Sequence, residues 1–233
     1  NAVEYRKVSL DADFQLNAQN LLAATDYRTK VIWICTPNNP TGNDLDARAI
    51  QQVLEQFGGI VVVDEAYSDF SSFPAFRTQL HKYPNLIVLN TMSKAWASAS
   101  IRMGMAFASP EIIGLFNKVK YPYNINKLTQ EHASALIDDA FKVQRWVAQI
   151  KEERAHMIPA FNELPVCLKV YPTGANFFLA KVTDADAIYH YLVDRGVIVR
   201  NRNRVEMCQG CLRITIGTPQ ENNELLSALR QYK

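Results

Sequence analysis

Three runs of branched apolar residues constrain this chain more than anything else in it: "VIWIC" at 31–35, "IVVV" at 60–63 and "LIVL" at 86–89. None of them alternates with polar residues. A strand with one wet face alternates with period two, whereas a strand covered on both faces stays apolar throughout. Between the first two runs, "DLDARAIQQVLEQF" has the apolar spacing of an amphipathic helix, with Asp44 as its expected cap. "GMAFAS" supplies a fourth strand, leading into the helical pattern "PEIIGLFNKVK". Strands alternating with helices in this way predict an α/β fold, a mainly parallel sheet with helices on both faces.

The remaining segments extend that reading. "VEYRKVSL" has period two and is expected to be a strand, followed by a helix over "NAQNLLAAT". After the turn-rich "KYPYNIN", a long helical region runs from about residue 127 to 164. Beyond it come "CLKVYP", "NFFLAKV", the helix "DADAIYHYLVDRG", the strands "VIVR" and "GCLRITIG", and a last helix from Pro219. This is the pattern of a small α+β domain. The expected division is a partial large domain over 1–140 and a small C-terminal domain over 141–233. The first block has few elements for a free-standing sheet domain, so a fragment of a larger protein is expected.

Composition excludes several classes. With 48% hydrophobic and 21% charged residues, the 233-residue chain is globular rather than disordered. A formal charge of +2, without a lysine/arginine run, predicts no nucleic-acid partner. No apolar run approaches the roughly 20 residues that cross a bilayer, and no leader pattern is visible, so a soluble cytoplasmic protein is expected. Of the four cysteines, Cys208 and Cys211 have C-x-x-C spacing. A second pair is lacking and the histidines are scattered, which predicts reduced thiols and no metal.

Polar clusters sit where strands end, and in open α/β sheets ligands bind at the carboxyl ends of strands. "TPNNPTGN" after the first run, taken alone, reads more readily as an ordinary turn than as a functional loop. Asp64 ends the second run, with Tyr67 three residues on; alone it reads as a helix cap or a surface acid. "LNTMSKAWASASIRMG" places Lys94 among Thr91, Ser93 and Arg102. A lysine there is usually a surface residue, but hydroxyls and a guanidinium are ligands for a phosphate. Arg213 stands inside the apolar strand "CLRITIG", where a guanidinium meets either an acid or an anionic ligand, and Arg200 closes "VIVR". These parts suit one apparatus: a Schiff-base lysine, a phosphate grip and a carboxylate for a pyridinium nitrogen, the requirements of pyridoxal 5'-phosphate.

In this order, "PNNPTGN", "VVVDEAYSDF", "TMSKAWASASIRMG", "YPYNIN" and "GCLRITIG" resemble the fold-type I aminotransferases along essentially the whole chain, and among them the histidinol-phosphate aminotransferases most. The resemblance implies pyridoxal-phosphate-dependent transamination of histidinol phosphate with 2-oxoglutarate or glutamate, within histidine biosynthesis, by a homodimer. It implies that Lys94 is the Schiff-base lysine and proton carrier and that Asp64 holds the pyridinium. By the same resemblance, Tyr67 and Asn39 contact the ring oxygen, while Ser93, Arg102 and Thr91 grip the phosphate. Arg213 would take the glutamate carboxylate or the substrate phosphate, Arg200 would assist on phosphate, and Asn176 would lie near the substrate.

Two departures stand out. The family often has Ala-Gly-Leu-Arg before the phosphate arginine, and here Ser100 stands where that glycine would be. A left-handed backbone there would strain serine by about 1–2 kcal/mol. The roughly hundred N-terminal residues of family members, with their substrate-covering arm and ring-stacking aromatic, have no counterpart in the sequence. Two alternatives share the fold: a decarboxylase of an amino-acid phosphate such as threonine phosphate, and an aromatic aminotransferase. A third reading is a non-catalytic fragment.

Overall fold

A computed structural model describes residues 3–232, in two compact units. The first comprises Asn1–Thr36, Leu45–Ala66 and Phe73–Ser134, and the second Pro37–Asp44, Tyr67–Ser72 and Ala135–Lys233.

In the first unit, β1 (Val31–Cys35), β2 (Ile60–Asp64), β3 (Leu86–Thr91) and β4 (Gly104–Phe107) form one sheet in the order β1-β2-β3-β4. The first three are parallel and β4 is antiparallel to β3. The absence of alternation in the apolar runs now has its cause. Val61, Val63, Leu86 and Val88 pack on one face against Ile50, Val53 and Leu54 of α2 (Ala47–Gln56). Val62 and Ile87 meet Ile112 of α3 (Pro110–Val119) on the other. β1 departs from the expectation of a strand covered on both faces, since Val31 and Trp33 are 52% and 61% exposed.

Local chemistry sets the helix starts. The short α1 (Ala18–Ala23) is capped by Asn17, and α3 by Ser109 with Pro110 in its first turn. The cap of α2 is Asp46, whose carboxylate accepts from Arg48 N, and not Asp44 as expected. Asp44 instead accepts a hydrogen bond from Ser71 Oγ at 2.7 Å. The expected strand over 3–10 does not form: those residues carry no regular structure and are mostly exposed, so their period-two pattern has no sheet to face. The long helical region breaks at Asp139 into α4 (Lys127–Asp138) and α5 (Ala140–Asn162).

The second unit holds an antiparallel sheet of β5 (Cys167–Val170), β6 (Phe177–Val182), β7 (Arg200–Asn201) and β8 (Cys211–Thr215), in the order β5-β6-β8-β7. Only the end of "VIVR" pairs, so that expected strand is a two-residue one. Phe178, Ala180, Val182, Leu212 and Ile214 point into a core shared with α5, α6 (Ala185–Val193) and α7 (Pro219–Arg230). A capping box between Thr218 and Glu221 starts α7. Period two then puts Phe177, Leu179 and Arg213 on the opposite face, where Tyr67 meets Phe177 edge-on at 5.1 Å.

Candidate active site

The topology of the first sheet brings one set of predicted residues to a single edge. β1, β2 and β3 run in register, with Cys35 beside Asp64 and Asp64 beside Leu89. Asp64 therefore closes β2 at the carboxyl edge, and Thr91 ends β3 two residues past its partner position. Because β4 returns antiparallel, Gly104 pairs with Thr91, so Arg102 lies at the same edge. Thr91, Ser93, Lys94 and Arg102 thus occupy one turn above the strand ends.

That turn is tightly specified. Met92 N donates to Met103 O at 3.1 Å, Ser98 N to Met92 O at 3.0 Å and Ala97 N to Lys94 O at 3.0 Å. Thr91 Oγ1 accepts from Ser93 N at 3.0 Å, which fixes the two hydroxyl-bearing residues relative to one another. Ala97 and Arg102 have φ of 50° and 54°, whereas Ser100 is outside the left-handed region. The replacement of the family's glycine by Ser100 therefore brings no backbone strain. Arg102 folds back to donate to Ala99 O at 3.0 Å and is otherwise exposed, as is Lys94. From α4, His132 Nε2 lies 3.0 Å from the buried Ser98 Oγ and braces the far side of the turn.

Asp64 is half-buried, and its carboxylate accepts from Ala66 N at 3.1 Å. Its neighbour Glu65 is almost fully buried, accepts from Phe76 N and faces Arg77 at 4.0 Å. Sequence reasoning passed over Glu65. It anchors the chain just after Asp64, and its only signal was a second carboxylate directly following an apolar run.

The second unit gathers the other set. Arg213 donates from Nη1 to Asn39 Oδ1 at 2.9 Å, and its guanidinium carbon stands 4.7 Å from the centre of the Phe177 ring. Guanidinium only donates, so the amide must turn its oxygen to Arg213 and its NH2 outward. Burial lowers the pKa of Arg213, an effect that the Tyr67 phenol opposes and that Arg202 and Arg200 reinforce. Its Nε is buried without a hydrogen-bond partner among the described residues. Such an orphaned donor on a charged group suits an anionic ligand.

Arg200 pairs directly opposite Arg213 in the β7–β8 register. Opposed residues of an antiparallel pair share a face, so the two guanidiniums lie on one side. No ion pair joins Arg200 to an acid among the described residues. Asn201 and Asn203 donate to Asp186 at 2.6 and 2.8 Å and tie β7 to the start of α6. Arg202 was not singled out in the sequence, although with Arg200 it is one of two cations acting on Arg213. Asn176 is half-buried at the start of β6, and its carbonyl accepts from Ile216 N at 2.9 Å.

The profile of a family described as Aminotransferase class I and II matches residues 1–229. The chain belongs to this family. A histidinol-phosphate aminotransferase of Bacteroides thetaiotaomicron is 55% identical over all 233 residues, which span 67% of that relative. Among solved structures, a histidinol-phosphate aminotransferase from Clostridium acetobutylicum superimposes with a TM-score of 0.86 at 23% identity, covering 95% of this chain and 69% of the other. The Sinorhizobium meliloti histidinol-phosphate aminotransferase, solved in complex with pyridoxal-5'-phosphate, gives 0.84 at 23% identity, covering 97% and 63%. At that identity the two structures establish the fold, the fold-type I arrangement expected from the sequence. Among the described residues, no helix is long and apolar enough to cross a membrane.

Proposed function

We propose that this chain carries out pyridoxal-phosphate-dependent transamination of histidinol phosphate, with 2-oxoglutarate and glutamate as the other pair, in histidine biosynthesis. The observation that carries the substrate is the 55% identity to a histidinol-phosphate aminotransferase along the whole of the chain. The residues present suit the cofactor. One sheet edge holds an amine, a carboxylate, two hydroxyls and a guanidinium, and the second unit holds a half-buried arginine whose buried Nε has no hydrogen-bond partner among the described residues.

Bound pyridoxal phosphate supplies an aldehyde for an amine and a pyridinium that accepts the electron pair left when a Cα proton departs. In this reading Lys94 carries the amine and then moves the proton, a general acid–base task. Asp64 holds the pyridinium proton by its negative charge. Thr91, Ser93 and Arg102 bind the cofactor phosphate. Tyr67 and the outward NH2 of Asn39 donate to the ring oxygen. Arg213 orients the substrate anion, Arg200 adds a second guanidinium for phosphate, and Asn176 lies near the substrate. A homodimer in the cytoplasm completes the proposal.

The test is product analysis with the cofactor, histidinol phosphate and 2-oxoglutarate, together with borohydride reduction and mass mapping. Glutamate and a keto product, with the label on Lys94, support the reading. Carbon dioxide and an amine would replace it with the phosphate-decarboxylase alternative. Label on another lysine would remove Lys94 from its role.

A further inference from the structure

Within the second unit, three loops that carry Asn39, Tyr67 and Asn176 are held by one network. Arg154, half-buried on α5, donates from Nη1 to Ala175 O at 2.7 Å and to Phe70 O at 3.3 Å. One turn earlier on the same helix, Lys151 Nζ donates to Ser71 O at 3.0 Å. Ser71 Oγ donates to Asp44 Oδ1 at 2.7 Å. Both Arg154 and Lys151 act electrostatically on Asp44. The 173–177 turn closes the circuit: Gly174 N donates to Gly42 O at 2.8 Å, and Thr173 Oγ1 to Gly42 O at 3.1 Å.

We propose that Arg154 is a positioning residue, which with Asp44 and Ser71 clamps the 37–44 and 67–72 loops to the 173–177 turn and so fixes how Asn39 and Tyr67 are presented. The inference rests on the proposed function, in which those two side chains donate to the ring oxygen of the cofactor. One guanidinium reaches carbonyls 84 and 21 residues away in sequence. Arginine suits this because its planar fork loses little freedom per hydrogen bond formed, whereas lysine offers a single point charge. Asp44 supplies the counter-charge and tethers the Asn39 loop to the Tyr67 loop through Ser71. Without Arg154, the carbonyls of Phe70 and Ala175 each lose a charged donor, and the 67–72 loop loses its direct link to the 173–177 turn, the two staying joined only through Ser71, Asp44 and Gly42.

The test reads presentation rather than stability. Donors to the ring oxygen favour its anionic form, so they hold down the pKa with which the visible band of the bound cofactor titrates. In the holoenzyme, Tyr67→Phe should raise that pKa directly. Arg154→Ala should raise it by about half a unit to one unit, the size expected for a weakened hydrogen bond. The Tyr67→Phe/Arg154→Ala double variant should shift less than the sum of the two, because the second change acts through the first. Should Arg154→Ala not fold, Arg154→Lys carries the same expectation at smaller size. It keeps the charge facing Asp44 but cannot span both carbonyls.

A folded Arg154 variant that loses thermal stability yet titrates as the parent does would overturn the inference and leave the proposed function standing. Strict additivity in the double variant would overturn it too. A parent protein that forms no visible band on Lys94 would overturn the function and this inference together.

Discussion

Replacing Gly174 by alanine challenges the same network from its packing side. The added Cβ would stand 2.0 Å from Asp44 Oδ2, 2.6 Å from Cγ and 2.8 Å from Oδ1, all far inside ordinary contact. The carboxylate must retreat by well over an ångström, and it cannot do so while Oδ1 keeps the Ser71 hydroxyl at 2.7 Å. Overpacking of this kind costs about 1–3 kcal/mol. A hydrogen bond to a charged group adds about 1.5–3 kcal/mol, taken at the low end because Asp44 is only half-buried. Alanine returns about 0.4–1 kcal/mol by restricting the unfolded chain. The net expectation is a loss of about 2–3 kcal/mol, or about 4–12 °C in the melting temperature at this chain length.

The assay is thermal unfolding followed by circular dichroism for Gly174→Ala, Asp44→Ala and the double variant. With the carboxylate gone, the new methyl has no oxygen to strike, so its added cost should fall below about 1 kcal/mol, a coupling that neighbouring residues commonly show. A Gly174→Ala protein melting within about 2 °C of the parent would refute the argument. So would a loss that is the same with and without Asp44.

Three further outcomes are expected. Asp64→Asn should lower kcat at least a hundredfold while leaving the melting temperature nearly unchanged, since an amide fills the same volume but cannot hold a pyridinium proton by charge; unchanged turnover would remove Asp64 from the ring. Arg200→Ala should weaken kcat/KM for histidinol phosphate by roughly 10- to 150-fold and for glutamate far less, with Arg213→Ala lowering both; equal losses in Arg200→Ala would sink its assignment to phosphate. Burial raises the pKa of Asp44 above its ordinary 3.8, against the opposing pull of Ser71, Arg154 and Lys151, so the folded state takes up a proton first as pH falls. Its contribution to stability therefore grows on acidification through the interval between the raised value and 3.8 and is lost as pH rises through it. The stability difference between the parent and Asp44→Asn, measured by urea unfolding from pH 6 to 4, should move towards the parent, and a flat difference would contradict it.

How much of this was legible depends on the range of the forces involved. Two of the three apolar runs, β2 and β3, revealed a sheet covered on two faces because burial acts on every residue of such a strand. Val61 to Val63 carry that signal unaided, whereas the equally apolar β1 leaves Val31 and Trp33 exposed. The turn holding Lys94 was legible because its hydroxyls, amine and guanidinium fall within 12 residues of one another in sequence, Thr91 to Arg102. Asp44 was misread because a carboxylate near a helix start resembles a cap, whereas Asp46 has that role, accepting from Arg48 N, and Asp44 is drawn off by a tertiary contact with Ser71. "VEYRKVSL" was misread because alternation describes a side-chain pattern and cannot say whether a neighbouring strand exists. Arg154 gave no signal at all. On an amphipathic helix it looks like any other charged residue, and its partners lie far off in the chain.

The register of β7 and β8 turns two isolated arginines into a statement about ligand charge. Like charges directly opposite one another in an antiparallel pair destabilise it. Arg200 faces Arg213 in that way, and Arg202 adds a third cation. Burial already disfavours the charged form of Arg213, so each neighbouring cation adds to a cost that the fold must carry. Asn39 and Phe177 relieve part of it through one hydrogen bond and one ring face, yet the buried Nε has no hydrogen-bond partner among the described residues. A monoanion can satisfy one fork and leave the second guanidinium repelled. A phosphate, carrying nearly two charges and three acceptor oxygens, can meet both, and the relief of repulsion then adds to the hydrogen bonds formed. In the proposed function, the preference for a phosphate-bearing substrate would come from a strand pairing, because a shift of register by one residue would send one of the two side chains to the other face.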